Sequence, residues 1–186
     1  MRVPETLSPE RCALVVVDIQ ERLMPVISGR DEVVKNAALL LKAARTLKME
    51  VVATTQYAAR IGALLPEIQA ELAGAEVLDK MHFNCFGNPA IQARIKALPP
   101  PVNTLIVCGV ETHICIYQTV AGALRAGYRV VVAADAVSSR TMKNYELGLA
   151  RLRELGAVVA PTEMVIYELL GEAGTPAFKE LLPFLK

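Results

Sequence analysis

Short apolar runs alternate with amphipathic segments along most of the chain. The runs at 13–17 and 104–109 are rich in β-branched residues, and their apolar positions are continuous rather than alternating. Such runs are typical of parallel strands that are buried on both faces. Four further strands are predicted at 51–54, 76–79, 129–134 and 157–160.

The segments between these strands carry apolar residues at three- and four-residue spacing, which predicts helices. One clear helix follows Asp31, which is a plausible N-cap. Three more are predicted at 89–97, 112–126 and 142–155. Gly127 and Gly156 follow two of these segments, as expected of residues that end helices. The tail is expected to add one or two more helices.

Alternating strands and helices predict right-handed crossovers, and therefore an α/β fold with three layers, α/β/α, in a single domain spanning 1–186. Six strands in two sets of three favour a doubly wound parallel sheet of order 3-2-1-4-5-6. In such a sheet, ligands bind at the carboxyl ends of the strands, where the order reverses between strands 1 and 4. Residues 18–20, Lys80 and 109–115 leave strands at this edge, so we expect a functional site there.

Composition narrows the range of partners. The 186 residues include 20 Lys and Arg against 19 Asp and Glu, for a net charge of +1, and aromatic residues make up 5%. These values predict no nucleic-acid or membrane partner, and the apolar runs are shorter than the roughly 20 residues that cross a bilayer. The N-terminus shows no targeting pattern, so we expect a cytoplasmic protein. The high apolar content predicts a homo-oligomer.

Several familiar motifs are missing. The turn after the first predicted strand begins at Asp18 and has no glycine before Gly29, so it cannot form the G-x-G-x-x-G cradle of a dinucleotide site. Neither a P-loop nor the G-x-S-x-G elbow of a serine hydrolase occurs. The two histidines, His82 and His113, do not have the spacing of metal ligands. We therefore predict no cofactor and no metal.

One cysteine has the setting of a nucleophile. Cys115 falls in the first turn of the helix after strand 4, where backbone amides favour a thiolate and can stabilise an oxyanion. Lys80 is the lysine that leaves a strand at the same edge, and Asp18 is the carboxylate available as a base. Other interpretations stay open: Cys115 as a small buried apolar residue, Asp18 as a turn cap, and Lys80 as a solvated surface residue. Cys85, on the loop after Lys80, is a rival nucleophile. The four cysteines, at 12, 85, 108 and 115, include no C-x-x-C pair and are expected to be reduced.

Longer stretches of the chain resemble one family. VCGVETHIC at 107–115, AGALRAGY at 121–128 and ADAVSSR at 134–140, with segments 17–20 and 79–83, resemble the isochorismatase-like cysteine hydrolase superfamily. That superfamily includes nicotinamidases, carbamoylsarcosine amidases and isochorismatase-domain proteins, and the resemblance covers nearly the whole chain. It implies that Asp18, Lys80 and Cys115 form a catalytic triad in which Cys115 forms an acyl-enzyme. It also implies a non-proline cis peptide between Val110 and Glu111.

The resemblance further implies a substrate-binding set at the same edge of the sheet. Its members are Gln20, Gln56, Tyr57, Phe83, Val110, Glu111, Thr112 and His113. Gln20 is equally compatible with an ordinary turn residue, and Phe83 with a core residue. The Asp-x-His metal site of nicotinamidases is replaced by TTQY at 54–57, and the cysteine that true isochorismatases lack is present. The chain therefore looks closest to the isochorismatase-domain protein subgroup.

These observations favour a metal-independent cysteine hydrolase of a small amide or related acyl compound. Two other hypotheses stay open. One is a catalytically inert fold that binds a small molecule or serves as a scaffold. The other is a thiol redox sensor, with Cys85 as the resolving cysteine.

Overall fold

The structure is a computed structural model that describes residues 6–185. Within that range six strands form one sheet: β1 (Cys12–Val17), β2 (Glu50–Gln56), β3 (Val77–Lys80), β4 (Thr104–Val110), β5 (Arg129–Ser138) and β6 (Val158–Ala160). Their order is 3-2-1-4-5-6, and neighbouring strands are parallel. The predicted fold class and strand order are confirmed.

Helices cover both faces of the sheet. They are α1 (Arg30–Thr46), α2 (Ala58–Ile61), α3 (Pro66–Glu71), α4 (Pro89–Lys96), α5 (Tyr117–Arg125), α6 (Met142–Glu154), α7 (Thr162–Leu170) and α8 (Pro176–Leu181). Every residue of β1 is buried, and its side chains alternate between two cores. Leu14 and Val16 pack in the core that includes residues of α1, α3, α7 and α8, whereas Ala13 and Val15 pack in the core that includes residues of α4, α5 and α6. Within residues 6–185 no helix has the length and apolar character needed to cross a membrane.

The segment 112–126 differs from the continuous helix that the sequence predicts. It begins with a π-helical turn at Thr112–Ile116, and α5 follows from Tyr117. A π-helical turn is wider than an α-helical one and is frequent at functional sites. Cys115 lies in this turn, at the carboxyl edge of the sheet as predicted.

Two other details of the sequence prediction need correction. Asp31 is not the cap of α1, because the helix begins at Arg30 after Gly29, which has a left-handed φ of 65°. Asp31 lies instead in the first turn, where its charge still complements the helix dipole. The short helices α2 and α3, between β2 and β3, were not predicted. The tail, predicted to add one or two helices, forms α7 and α8.

Register aligns the strand ends that carry the polar residues. Val17 pairs with Thr54 of β2 on one side and with Gly109 of β4 on the other. Gly109 has a φ of 118°, and a Cβ there would collide with the backbone oxygen of Val17 and lie 2.7 Å from its carbonyl carbon. Only glycine permits this approach of β4 to β1. The approach brings the turn that follows β4 close to the residue that follows β1.

Candidate active site

A buried ion pair occupies the carboxyl edge of the sheet. Lys80 Nζ, at the end of β3, lies 2.6 Å from Asp18 Oδ2, and both side chains are fully buried. Thr54 Oγ1 donates a hydrogen bond of 2.9 Å to Asp18 Oδ1. β2 lies between β1 and β3, so the Asp18–Lys80 pair spans the end of β2, where Thr54 and Gln56 lie. Lys80 is therefore not the solvated surface lysine of the alternative interpretation.

Gln56 fixes the ammonium group from the other side. Its Oε1 accepts a hydrogen bond of 2.9 Å from Lys80 Nζ, and its Nε2 donates to the backbone oxygen of Met81. The amide oxygen and the Asp18 carboxylate together provide two acceptors for the buried ammonium. Gln56, predicted to bind substrate, thus contacts Lys80 directly.

Cys115 completes the cluster. Its thiol hydrogen-bonds to Asp18, and the residue is 6% exposed. Burial raises the pKa of the Cys115 thiol, the Asp18 carboxylate raises it further, and Lys80 only partly offsets them. The raised pKa favours the protonated thiol at rest. The prediction that helix-start amides favour a thiolate stays a prediction, and burial and the neighbouring carboxylate act against it.

Cys85, the rival nucleophile, has no exposed surface. It begins a short 3-10 turn, Cys85–Gly87, and its thiol hydrogen-bonds to Thr119 and Thr54. Burial raises the pKa of the Cys85 thiol. Cys12 and Cys108 lie inside strands, where burial raises their pKa to about 11 and about 12. All four cysteines, which lie within the described range, are free, and Cys115 is the one in contact with a carboxylate base.

The Gln20 side chain makes hydrogen bonds to backbone groups within the protein. Its Nε2 donates to the backbone oxygens of Gln56, at 3.1 Å, and Gly62, at 2.7 Å, while its Oε1 accepts the Gln56 amide hydrogen at 2.7 Å. The side chain is fully buried. Gln20 thus joins the turn after β1 to the end of β2, and its amide meets backbone groups on both sides.

Glu111 joins the ends of β4 and β5. The Val110–Glu111 peptide is cis, as the family resemblance implies. The Glu111 carboxylate accepts a 2.8 Å hydrogen bond from the Arg140 backbone amide and pairs with Arg140 Nε at 3.1 Å. Both Val110 and Glu111 are buried. The Glu111 carboxylate therefore makes contacts within the protein, and the substrate-binding role of Glu111 stays a prediction.

Thr112 and His113 fix the π-helical turn against α6. His113 Nδ1 lies 3.0 Å from Ser139 Oγ, and Nε2 lies 3.4 Å from Asn144 Nδ2, so both ring nitrogens have a partner. Thr112 is fully buried, and its hydroxyl finds no hydrogen-bond partner among residues 6–185. A Cβ on Gly148 would lie 3.0 Å from Thr112 Cγ2, so the missing side chain at 148 lets α6 approach this turn closely.

Tyr57 and Phe83 are exposed. Tyr57 is 41% exposed and Phe83 is 50% exposed, with Met81 between them in sequence order at 61%. Phe83 is therefore not a core residue. The Tyr57 backbone amide donates to the Lys80 carbonyl at 2.9 Å, so the backbone of Tyr57 lies next to the end of β3.

The sequence missed several contacts in this region. Thr54 and Asn144 make hydrogen bonds to predicted site residues, but no sequence motif marks them for that role. Ser139 and Arg140 make similar contacts and were noted only as part of the 134–140 stretch that resembles the family. Among the described residues, no group of three or more His, Cys, Asp or Glu side chains is arranged to hold a metal ion.

Comparison with known proteins decides the family. The model of the isochorismatase domain matches residues 12–164. The chain belongs to the isochorismatase family. Its predicted resemblance is thereby confirmed, and the family consists largely of hydrolases.

Named isochorismatase relatives match along almost the entire chain. It is 35% identical over 183 residues to the "Secreted isochorismatase effector Isc1" of Phytophthora sojae, covering 97% of this chain and 87% of that protein. It is 36% identical over 179 residues to "Isochorismatase domain-containing protein 2" of Bos taurus, covering 96% and 84%. A solved structure described as "MAR1 Ribonuclease from Caenorhabditis elegans" shares 30% identity and a TM-score of 0.90, covering 97% and 92%. Since one relative is named as secreted, the cytoplasmic location stays a prediction.

Proposed function

We propose that this isochorismatase-family protein is a metal-independent cysteine hydrolase of a small amide or related acyl compound. Cys115 is the nucleophile, Asp18 the base, and Lys80 the cation that holds the base. One observation carries the proposal: the Cys115 thiol and the Lys80 ammonium both bond to the buried Asp18 carboxylate. Nucleophile, base and orienting group in mutual contact are the arrangement that nucleophilic catalysis requires.

Acylation begins with the resting thiol. Asp18 accepts the thiol proton while the Cys115 sulfur bonds to the substrate carbonyl carbon and the carbonyl electron pair moves to oxygen. Because burial raises the pKa of this thiol, proton transfer accompanies the attack. We assign the stabilisation of the oxyanion to backbone amides of the turn 111–115.

Collapse of this intermediate breaks the bond between carbon and the leaving group, which takes the proton from Asp18. Water then attacks the thioester, Asp18 accepts its proton, and that proton returns to the Cys115 sulfur as the C–S bond breaks. A carboxylic acid is released and the thiol is restored.

The predicted substrate-binding residues divide into two groups under this proposal. Tyr57 and Phe83, which are exposed, contact the substrate. Buried or fully bonded residues hold the site in shape instead: Gln20, Gln56, Val110, Glu111, Thr112 and His113. Thr112 differs from the rest because its hydroxyl has no partner among the described residues.

The test is turnover of a panel of small primary amides and esters, followed by ammonia or acid release and by intact mass. The wild type is expected to release product and to show an acyl adduct on the peptide carrying Cys115. Cys115→Ala abolishes both, and Asp18→Asn slows release by about 10²–10⁴-fold, the range for loss of a general base. Cys108→Ala, a buried cysteine of β4, is the matched control and keeps full activity. Tight binding with no adduct and no release would instead favour the binding-protein hypothesis.

RNA cleavage is measured in the same preparations, because one structural relative carries a ribonuclease description. We propose that this chain does not act on RNA, since its net charge of +1 and low aromatic content favour neither phosphate binding nor base stacking. Cleavage that Cys115→Ala removes would contradict the amide-hydrolase proposal.

We also propose that the protein forms homo-oligomers. Met81 is 61% exposed, Leu147 59% and Met164 57%, and burial against a second copy would remove such apolar surface from water. Size-exclusion chromatography with light scattering tests the proposal: a monomer at micromolar concentration would refute it.

A further inference from the structure

Asp18 has a second set of hydrogen-bond partners besides Lys80 and Cys115. Its Oδ1 accepts a hydrogen bond from Thr54 Oγ1, and the thiol of Cys85 hydrogen-bonds to Thr54 in turn. Cys85 also bonds to Thr119, both through its thiol and through its backbone amide, which donates to Thr119 Oγ1 at 3.1 Å. Thr119 lies four residues after Cys115, one turn further along the same helical segment. The contacts therefore run from the segment of the nucleophile back to the base.

The direction of each hydrogen bond follows from counting protons. A hydroxyl has a single proton, and an ionised carboxylate can only accept. Thr54 gives its proton to the Asp18 carboxylate. Thr119 accepts the Cys85 amide hydrogen, so its own proton is available to the Cys85 sulfur. Burial raises the pKa of the Cys85 thiol, whereas its contacts with Thr119 and Thr54 lower it.

The two oxygens of Asp18 are held by different donors. Lys80 holds Oδ2 and Thr54 holds Oδ1, so the plane of the carboxylate cannot turn without losing a bond. A general base must keep its acceptor aimed at the proton that it removes. Thr54, Cys85 and Thr119 are fully or almost fully buried, and a connected buried network strengthens its own bonds by mutual polarisation.

We propose that Thr54 is a positioning residue that holds the Asp18 carboxylate toward Cys115. This inference rests on the proposed cysteine-hydrolase function. Thr54 acts directly on Asp18 through its hydroxyl group, so loss of that hydroxyl is expected to slow acylation.

The experiment measures the acylation burst with p-nitrophenyl acetate in stopped flow, together with steady-state kcat and KM. Thr54→Val keeps the shape of the side chain and removes the donor, whereas Thr54→Ser keeps the donor. We expect Thr54→Val to slow acylation about tenfold or more, with KM within about twofold, and Thr54→Ser to stay within about threefold of wild type. Cys85→Ala leaves the Thr54 hydroxyl in place and is expected to acylate within about threefold of wild type.

Matched controls separate this role from general packing. Thr104→Val replaces a buried threonine at the first residue of β4, and Cys108→Ala replaces a buried cysteine in the same strand. Both are expected to acylate at the wild-type rate. A Thr54→Val variant with a wild-type burst would overturn the proposal. A Thr54→Ser variant as slow as Thr54→Val would do the same, because packing rather than the hydroxyl would then explain the loss.

A second measurement decides the inference if the wild type shows no acylation at all, the outcome that refutes the proposed function. Urea unfolding of Thr54→Val, Asp18→Ala and the double variant forms a double-mutant cycle. Residues joined by a hydrogen bond are expected to be coupled, with the unfolding constants departing from additivity by about fivefold or more. Additive effects would show that Thr54 and Asp18 are not linked.

Discussion

Replacing Lys80 with methionine removes one member of a fully buried ion pair. Lys80 and Asp18 have no exposed side-chain surface, so neither charge is solvated when its partner is lost. Breaking a buried pair from one side costs about 3–5 kcal/mol, because an uncompensated charge remains inside the protein. At about 2–4 °C per kcal/mol for a domain of this size, the melting temperature of Lys80→Met is expected to fall by about 6–20 °C.

The double variant Asp18→Asn with Lys80→Met tests the reason for that loss. Both charges are gone. The oxygen of the side-chain amide that replaces the Asp18 carboxylate can still accept a hydrogen bond from Thr54 Oγ1. We expect the double variant to be more stable than Lys80→Met and to lie within about 2 kcal/mol of wild type. Urea unfolding at pH 7, followed by far-UV circular dichroism, gives the free energies.

Lys96→Met is the control, since Lys96 is exposed in the last turn of α4; it is expected to change stability by less than about 0.5 kcal/mol. If Lys80→Met unfolds with the same free energy as Lys96→Met, or if the double variant is no more stable than Lys80→Met, the buried pair does not have the energetics described.

Three further outcomes follow from single contacts. Gly109→Ala is expected to lower the free energy of unfolding by more than about 4 kcal/mol or to prevent folding, because its Cβ would collide with the backbone of β1. Gly127→Ala, which has open space around it and a φ of 89°, is expected to lower it by about 1–2 kcal/mol. Thermal melts compare the two variants. Thr112→Val removes a buried hydroxyl that has no partner in the described structure and is expected to stabilise the protein by about 1 kcal/mol in urea unfolding; a loss of stability would reveal a hidden bond. Because the pKa of Cys115 is raised, its thiol is expected to react with iodoacetamide more slowly than glutathione does at pH 7, and faster as the pH rises. Asp18→Asn removes the neighbouring negative charge and is expected to accelerate the reaction at pH 8. Peptide mapping by mass spectrometry gives the rates, and alkylation of wild-type Cys115 faster than that of glutathione at pH 7 would contradict a protonated resting thiol.

The position of the site could be predicted because it depends on strand order. Asp18, Lys80 and Cys115 are far apart in sequence, but each follows or ends a strand, and the parallel order 3-2-1-4-5-6 brings those ends to one edge. Apolar runs and alternating helices are enough to predict that order. The contact between the three side chains was expected for the same reason.

The protonation state of Cys115 could not be predicted in the same way. Sequence shows that a helix start precedes the cysteine, but burial and the orientation of the Asp18 carboxylate depend on how the turn packs. Bonds of Gln20 and His113 to groups in other segments likewise depend on side-chain directions. The short helices α2 and α3 have too few residues for a periodic pattern to develop.

Gly148 lets helix α6 pack closely against the turn that carries the nucleophile. The residue is distant from Cys115 along the chain, but its lack of a side chain allows the 112–116 turn to approach the helix. The Cβ of an alanine there would lie 3.0 Å from Thr112 Cγ2 and 3.2 Å from the His113 backbone nitrogen, so the turn would have to shift by a few tenths of an ångström. A substitution in α6 can therefore act on the turn that carries the nucleophile, although Gly148 itself lies outside the predicted site.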